Sequence, residues 1–431
     1  MKKKRVICFL MSAFVLSTSI GCGQASSTQT GESVAGTEVA ENAGAVTTPE
    51  EIPSGTVSLT VWGAEEDQEL LAEIVEGFKT EYAGMADFEI TIAPESESTC
   101  KETLLGDVEN GADVFAFVDD QLKALVAAGA LIPVENAEKV AAENNAGAVA
   151  AAMVNDTLYA YPMTADNGYF MYYNKEYLTE ADVATLDGML AVADENGKKV
   201  VMDWGSGWYL YSFFGNTGLT VGLNDDGITN YCTWNSTEGS IKGVDVASAM
   251  LAISSHPGFQ SMGTAEFLAG VADGSVIAGV SGVWDATAIE AAWGKNYGAV
   301  KLPTYTCAGT QIQMASFAGY KMVGANAYSD QPYWSSKLAE WITNEQNQTL
   351  RFEKRAQGPS NINAASSTEV QNSPAIQAIL AQSEFASLQR IGGNYWDPVM
   401  NFGNTLAAGN PDGSSLQDLL DKMVEKVTAI N

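Results

Sequence analysis

Histidine is nearly missing from this chain: His256 is the only one in 431 residues. One imidazole leaves no His-based nucleophile system and no His-rich metal site. His256 precedes Pro257-Gly258, a turn signal, and reads as a surface residue. Cysteine is scarce and scattered, with Cys8, Cys22, Cys100, Cys232 and Cys307 and no C-x-x-C pair, so no metal knuckle is indicated. One disulfide among the last three stays open, and their spacing does not assign it. Basic residues are few, 22 against 53 acidic, for a formal net charge of −31. Loss of Lys2, Lys3, Lys4 and Arg5 with a leader would take this to about −35. Such a charge argues against nucleic acid and against a basic membrane-binding face. It does not identify a ligand, because acidic surface mostly serves solubility. There is no G-x-S-x-G elbow, no phosphate-binding loop and no internal repeat.

The amino terminus carries an address. Met1 to Arg5 is basic, and Val6 to Val15 is an apolar core too short to span as a stable membrane helix. Leu16-Ser17-Thr18-Ser19-Ile20-Gly21-Cys22 then resembles a bacterial lipobox, with Ser19 where leucine is usual. That resemblance implies a leader over 1–22, with Cys22 diacylated as the mature first residue and anchored by its acyl chains. Residues 23–55 are Ser, Thr, Gly, Glu and Ala with almost no large apolar side chain, the composition of a flexible tether. Lipid, tether and globular body together describe a protein held at the outer face of a membrane.

The body reads as α/β, and its length favours two domains. Val57 to Val61 alternates as a strand. A helix follows, with Leu70, Leu71, Ile74, Val75, Phe78 and Tyr82 on one face, and Phe88 to Ile92 is a second strand. Strand-helix-strand of this length is a parallel unit. Asp113 to Phe117, Val200 to Met202, Val276 to Val280 and Gly298 to Leu302 are further strands. Leu158 to Pro162 and Gly168 to Lys175 read as two strands across a turn, the second long enough to cross between lobes. Phe317 to Val323 is another crossing candidate. Trp334 to Phe352 and Pro374 to Leu388 read as one helix each.

The strand ends share a habit. Trp62 closes the first strand; Phe117, Asp119 and Asp120 follow the third; Trp204 and Trp208 follow Val200 to Met202; Trp284 follows Val276 to Val280 in Ser281-Gly282-Val283-Trp284-Asp285. In open α/β sheets, ligands bind beyond the carboxyl ends of strands. Aromatics and carboxylates at four such ends suggest one crevice for a flat, hydroxylated ligand. Each residue also has a structural reading. Trp62 and Trp204 serve equally as core packing. Asp119 and Asp120 also read as helix caps, and Glu65 and Glu66 as partners of a helix dipole. Trp234, Trp293, Trp334 and Trp341 read as packing.

In this order and spacing, several short pieces resemble the bacterial extracellular solute-binding proteins of the maltose/maltodextrin-binding family, the receptors of ABC importers. The pieces are Leu59 to Gly63, Gly111 to Phe115, Leu158 to Pro162, Tyr173-Asn174-Lys175, Gly282-Val283-Trp284 and Gln357-Gly358-Pro359-Ser360, across roughly 56–431. The resemblance implies a two-lobed periplasmic-binding-protein-like fold with a hinge and an interlobe cleft. The first lobe would comprise 56–164 plus 322–366, and the second 165–318 plus 370–431. It implies stacking aromatics at Trp208, Trp284 and Trp396, and an aromatic of the first lobe at Phe117. It implies a sugar-binding carboxylate at Asp120 and polar contacts at Glu66 and Asp67. Asp166 and Asn167 fall near a position where the family carries a carboxylate.

A pyranose has an apolar C–H face that a ring can cover and a rim of hydroxyls that Asp, Glu and Asn can bind. The expectation is a monomeric cell-surface receptor without cofactor or metal. It would take malto-oligosaccharides and pass them to ABC permease subunits, and would touch the membrane through its lipid alone. Alternatives are a receptor for another neutral oligosaccharide, a polymer-gripping adhesin and a glycosidase. The last needs two carboxylates roughly 5–9.5 Å apart across one bond, which a chain this rich in carboxylates does not exclude by composition.

Overall fold

The structure, a computed structural model, describes residues 52–430. Cys22 and the tether up to residue 51 lie outside the described residues. Two sheets organise the rest. The first runs Ala386–Leu388, Ser316–Ala325, Val114–Val118, Thr56–Gly63, Asp87–Pro94, with Tyr161–Gly168 also paired to Ser316–Ala325. Thr56–Gly63 lies between Asp87–Pro94 and Val114–Val118 and is parallel to both. The second runs Phe259–Gln260, Lys199–Val201, Val276–Ser281, Phe170–Asn174, Tyr297–Val300, with the first three parallel.

The helix Gln68–Glu81 forms where the 3.6-residue stripe predicts it, burying Leu70, Leu71, Ile74, Val75 and Phe78. Leu70, Leu71, Ile74 and Phe78 meet Val57, Leu59 and Val61 of the first strand, and Phe115, Phe117 and Trp334, in one core. The second sheet is covered on both faces. Alternation along Phe170–Asn174 sends Met171 and Tyr173 into a core with Trp204, Phe214 and Trp234, and Phe170 and Tyr172 into another with Phe267, Ile289 and Trp293.

Three local expectations are corrected. The strands around 158–175 are not a hairpin. Tyr161–Gly168 belongs to the first sheet and Phe170–Asn174 to the second, with Tyr169 alone between them. Thr164, Asp166 and Asn167 look like turn residues, yet they sit within a strand because that segment pairs with Ser316–Ala325, Thr164 opposite Lys321 and Asn167 opposite Gly319. Asp166 accepts from the Gly358 backbone N–H. The helix expected over 334–352 is two, Pro332–Ile342 and Glu345–Arg355. Asn344 is extended and its side chain accepts from the Asn347 N–H at 2.8 Å, which starts a new helix. The helix from Pro374 ends at Ser383, and Ala386–Leu388 becomes an edge strand beside Ser316–Ala318. Of the cysteines whose pairing the sequence leaves open, Cys100, Cys232 and Cys307 are all free thiols.

The second crossing segment, Ser316–Ala325, pairs only within the first sheet, but its side chains serve both halves. Phe317 packs in the core of the second sheet, and Met322 and Val323 in that of the first. Tyr169 ties the two crossings together: its hydroxyl donates to the Trp208 carbonyl at 2.8 Å and accepts from the Phe317 N–H at 3.2 Å. Among the described residues no helix is long and apolar enough to cross a membrane.

Candidate binding cleft

The carboxyl ends of both parallel trios open onto one cleft of about 760 Å³. Glu66 follows Thr56–Gly63, the segment Ser96–Glu102 follows Asp87–Pro94, and Asp120 follows Val114–Val118. From the other side Asp203 follows Lys199–Val201, Thr264 follows Phe259–Gln260, and Trp284 follows Val276–Ser281. The crossing strands supply Asn167 and Lys321 between the two sets. This is the crevice position that parallel α/β topology favours for a ligand.

Three indoles face the cleft from the second sheet's side, each half-buried and each braced from behind. Trp208 lies on the helix Gly207–Phe214, edge-on to Tyr169 at 5.4 Å and stacked on Phe317 at 5.5 Å. Trp396 opens the helix Trp396–Ala407 and stands perpendicular to the buried Tyr395 at 5.0 Å. Trp284 folds back over Gly282, so closely that a Cβ there would lie 2.1 Å from the ring. The Gly282 carbonyl is pinned by the Tyr172 hydroxyl at 2.8 Å.

The opposite wall is polar. Gln121, itself buried, fixes the segment after the second strand: its amide donates to the Glu97 and Ser98 carbonyls at 2.7 and 3.0 Å and accepts from the Lys101 N–H at 2.9 Å. Glu97 is buried and ion-paired with buried Lys321 at 3.2 Å. Burial disfavours the Lys321 ammonium, but Glu97, Asp67 and Asp166 outweigh it and raise its pKa. Asp120 reaches into the cleft and accepts from Gln389 at 2.8 Å. Desolvation, with Asp119 beside it, pushes its pKa up to about 6.

Glu66, Asp120, Asn167, Trp208, Trp284 and Trp396 therefore meet around one cavity. Other candidates do not reach it. Phe117 is wholly buried against Phe115 at 5.7 Å, because the last inward position of its strand faces the core. Trp204 is wholly buried between Phe213 and Phe259. Trp62 is half-buried against the first core. Asp67 is buried and held by Arg351 and by Arg355 at 2.9 Å. Burial opposes its charge, yet Arg351, Lys321 and Arg355 keep its pKa below the usual value. Asp119 is buried, accepting from the Tyr320 N–H and paired with Arg390, both at 2.8 Å. Asp166 is buried on the Gly358 N–H. Exposed Glu65 lines a shallower depression of about 300 Å³ that shares Glu66, Ser96, Glu97 and Thr99 with the cleft.

Sequence reasoning missed Glu97, Asp203 and Lys321. Asp203 directly follows a strand and was within reach of the strand-end rule. Glu97 follows a strand that carries no aromatic at its end. Lys321 gives no signal, being a lone lysine inside an apolar strand. His256 accepts from the Gly258 N–H in its turn, far from this wall in role and in sequence. Among the described residues no group of His, Cys, Asp and Glu suits a metal ion.

Comparison with known proteins gives a consistent picture. The profile described as bacterial extracellular solute-binding protein matches residues 73–378. A galactooligosaccharide-binding protein of Bacillus subtilis (strain 168) is 25% identical over 386 residues, 84% of this chain and 87% of that protein. A maltooligosaccharide ABC transporter solute-binding lipoprotein of Streptococcus pneumoniae (strain ATCC BAA-255 / R6) is 25% identical over 403 residues, 86% of this chain and 88% of that protein. A solved structure with acarbose superposes with a TM-score of 0.76 at 28% identity, covering 87% of this chain and 99% of the other.

Proposed function

The chain belongs to the bacterial extracellular solute-binding proteins, and from that premise we propose that it captures malto-oligosaccharides and delivers them to an ABC importer. The family places it outside the cytoplasm as a binding protein and not as an enzyme. The observation that carries the sugar reading is the opposition of three braced indoles to a wall of carboxylates, amides and hydroxyls across one cleft. The rings cover the C–H faces of successive pyranoses, and the polar wall takes their hydroxyls. Relatives named for maltooligosaccharides and a fold relative solved with acarbose support the α-glucan class.

Capture follows from the joint. The first lobe comprises 56–164 plus 322–366 and the second 165–318 plus 370–431. Rotation about the crossings near Tyr169 and Phe317 closes the polar wall onto the indoles. Closure excludes water and strengthens every polar contact inside. Cys22 carries the lipid and residues 23–55 the tether, so that a monomer stands near its permease at the outer face of the membrane.

Titration calorimetry of the full chain against maltose, maltotriose, maltoheptaose and galacto-, xylo- and fructo-oligosaccharides tests this. The expected result is tight binding of the malto series, weakened roughly 30- to 1,000-fold in Trp284→Ala, the range of a buried aromatic anchor. Binding of the galacto series alone would transfer the reading to the ligand named for the Bacillus subtilis relative. No heat with any sugar would overturn it.

A further inference from the structure

We propose that Lys321 and Glu97 form a donor–acceptor couple that grips two adjacent hydroxyls of the sugar ring lying on Trp284, and so set which hydroxyl pattern the cleft accepts. The proposal rests on the sugar-receptor reading and deepens it. Both residues line the cleft although they are 8% and 6% exposed. Each keeps unused bonding capacity. The Lys321 ammonium has three donors, and Glu97 Oε1 at 3.2 Å is its one hydrogen-bond acceptor among the described residues. The second Glu97 oxygen receives no hydrogen bond from the described residues. A vicinal diol matches this pair: one hydroxyl oxygen accepts from the ammonium while its neighbour donates to the carboxylate.

Position ties the couple to the stacking site. Lys321 Nζ lies 5.9 Å from the centre of the Trp284 ring, so a pyranose held against this indole has hydroxyls within reach of the ammonium. Both members are preorganised. Lys321 sits opposite Val118 and Thr164 in the paired crossing strand, and Gln121 clamps the Glu97 carbonyl. The neighbouring buried carboxylates are engaged elsewhere, Asp67 by Arg351 and Arg355 and Asp166 by Gly358. A buried ion pair is a weak source of stability, which leaves the cleft as the reason for having one here. A sugar lacking either hydroxyl leaves a desolvated charge underbonded and is rejected.

The test is calorimetry with maltotriose and its set of monodeoxy derivatives on the full chain, on Glu97→Gln, and on the Lys321→Met/Glu97→Gln double variant, which removes both charges of the pair together. In the unmodified chain at least one deoxy sugar should bind roughly 10- to 100-fold more weakly, the worth of one hydrogen bond to a charged group. Glu97→Gln should weaken maltotriose by a similar factor yet leave that deoxy sugar within about 3-fold. The double variant should no longer distinguish the two sugars. Equal losses for every sugar, or no loss, would overturn the couple. The malto assignment is read separately from the unmodified chain. If that chain binds another panel sugar instead, the malto assignment falls and the couple is read on that sugar and its deoxy forms. Binding of no sugar at all overturns both.

Discussion

Gly282→Ala should blind the Trp284 platform without unfolding the protein. The new Cβ would lie 2.1 Å from Cζ3, 2.2 Å from Cη2 and 2.6 Å from Cε3 of the indole. Carbon atoms rest at about 3.5–4.0 Å, so the ring must retreat by roughly 1.4 Å or rotate away. The backbone offers no objection of its own: Gly282 has φ −100° and ψ −174°, extended geometry that alanine adopts freely. The indole is half-buried at the cleft wall and has room to swing, so the folding cost should stay below about 1.5 kcal/mol. Displacing an anchor ring should remove much of what its truncation removes, a loss of roughly 10- to 100-fold in maltotriose affinity. Calorimetry on Gly282→Ala, Trp284→Ala and the double variant checks the route. In the Trp284→Ala background the glycine change should be nearly silent, within about 2-fold, because the two act through one ring. An undiminished loss in that background would refute the reasoning and locate the effect in the backbone.

Three further outcomes are expected. Arg351→Met strands the buried Asp67 carboxylate with Arg355 as its remaining close cation, and should cost about 3–5 kcal/mol in urea unfolding. Phe117→Leu should cost about 1–2 kcal/mol of stability as a small core void, while leaving sugar affinity within about 2-fold; a large affinity loss would return Phe117 to the cleft. Asp120 is exposed to the cavity, where desolvation by the cleft wall and the neighbouring Asp119 raise its folded pKa from 3.8 to about 6, an effect on stability that solvent screening reduces. The folded protein then holds a proton between those values that the unfolded chain has released. Its contribution to stability is full below about pH 4 and is lost as pH rises through 6. Asp120→Asn should therefore raise the melting temperature at pH 7 and flatten its pH dependence between 4 and 6, as followed by thermal unfolding.

Much of the fold was legible because its signals are local. The stripe Leu70, Leu71, Ile74, Val75, Phe78 gives a helix, and the alternation of Val57, Leu59 and Val61 gives the strand beneath it. The strand-end rule likewise found Trp208, Trp284 and Asp120. What it could not find depends on partners distant in sequence. Thr164 to Asn167 carry turn chemistry and become a strand because Ser316–Ala325 lies beside them. Ala386–Leu388 continues a helical pattern and becomes a strand because that same segment offers a free edge. Trp204 and Trp208 stand four residues apart with similar surroundings in sequence. One is wholly buried and the other faces the cleft, and only the packing of Phe213, Phe259, Tyr169 and Phe317 separates them.

The carboxylates divide along the same line. Asp67, Asp119 and Asp166 are buried, and each holds a cation or a backbone N–H just behind the cleft wall. Asp119 shows what that does. Its Oδ1 accepts from the Tyr320 N–H and would lie 2.6 Å from a Cβ on Gly319, so it fixes the crossing strand one residue before Lys321. Its next neighbour in sequence, Asp120, points into the cavity instead. Adjacent residues at a strand end thus split into one that faces the cavity and one that aims the scaffold. A sequence pattern of paired acids leads to the cleft but overcounts the groups that line it: of Glu65, Glu66, Asp67, Asp119, Asp120 and Asp166, the cavity wall holds Glu66 and Asp120.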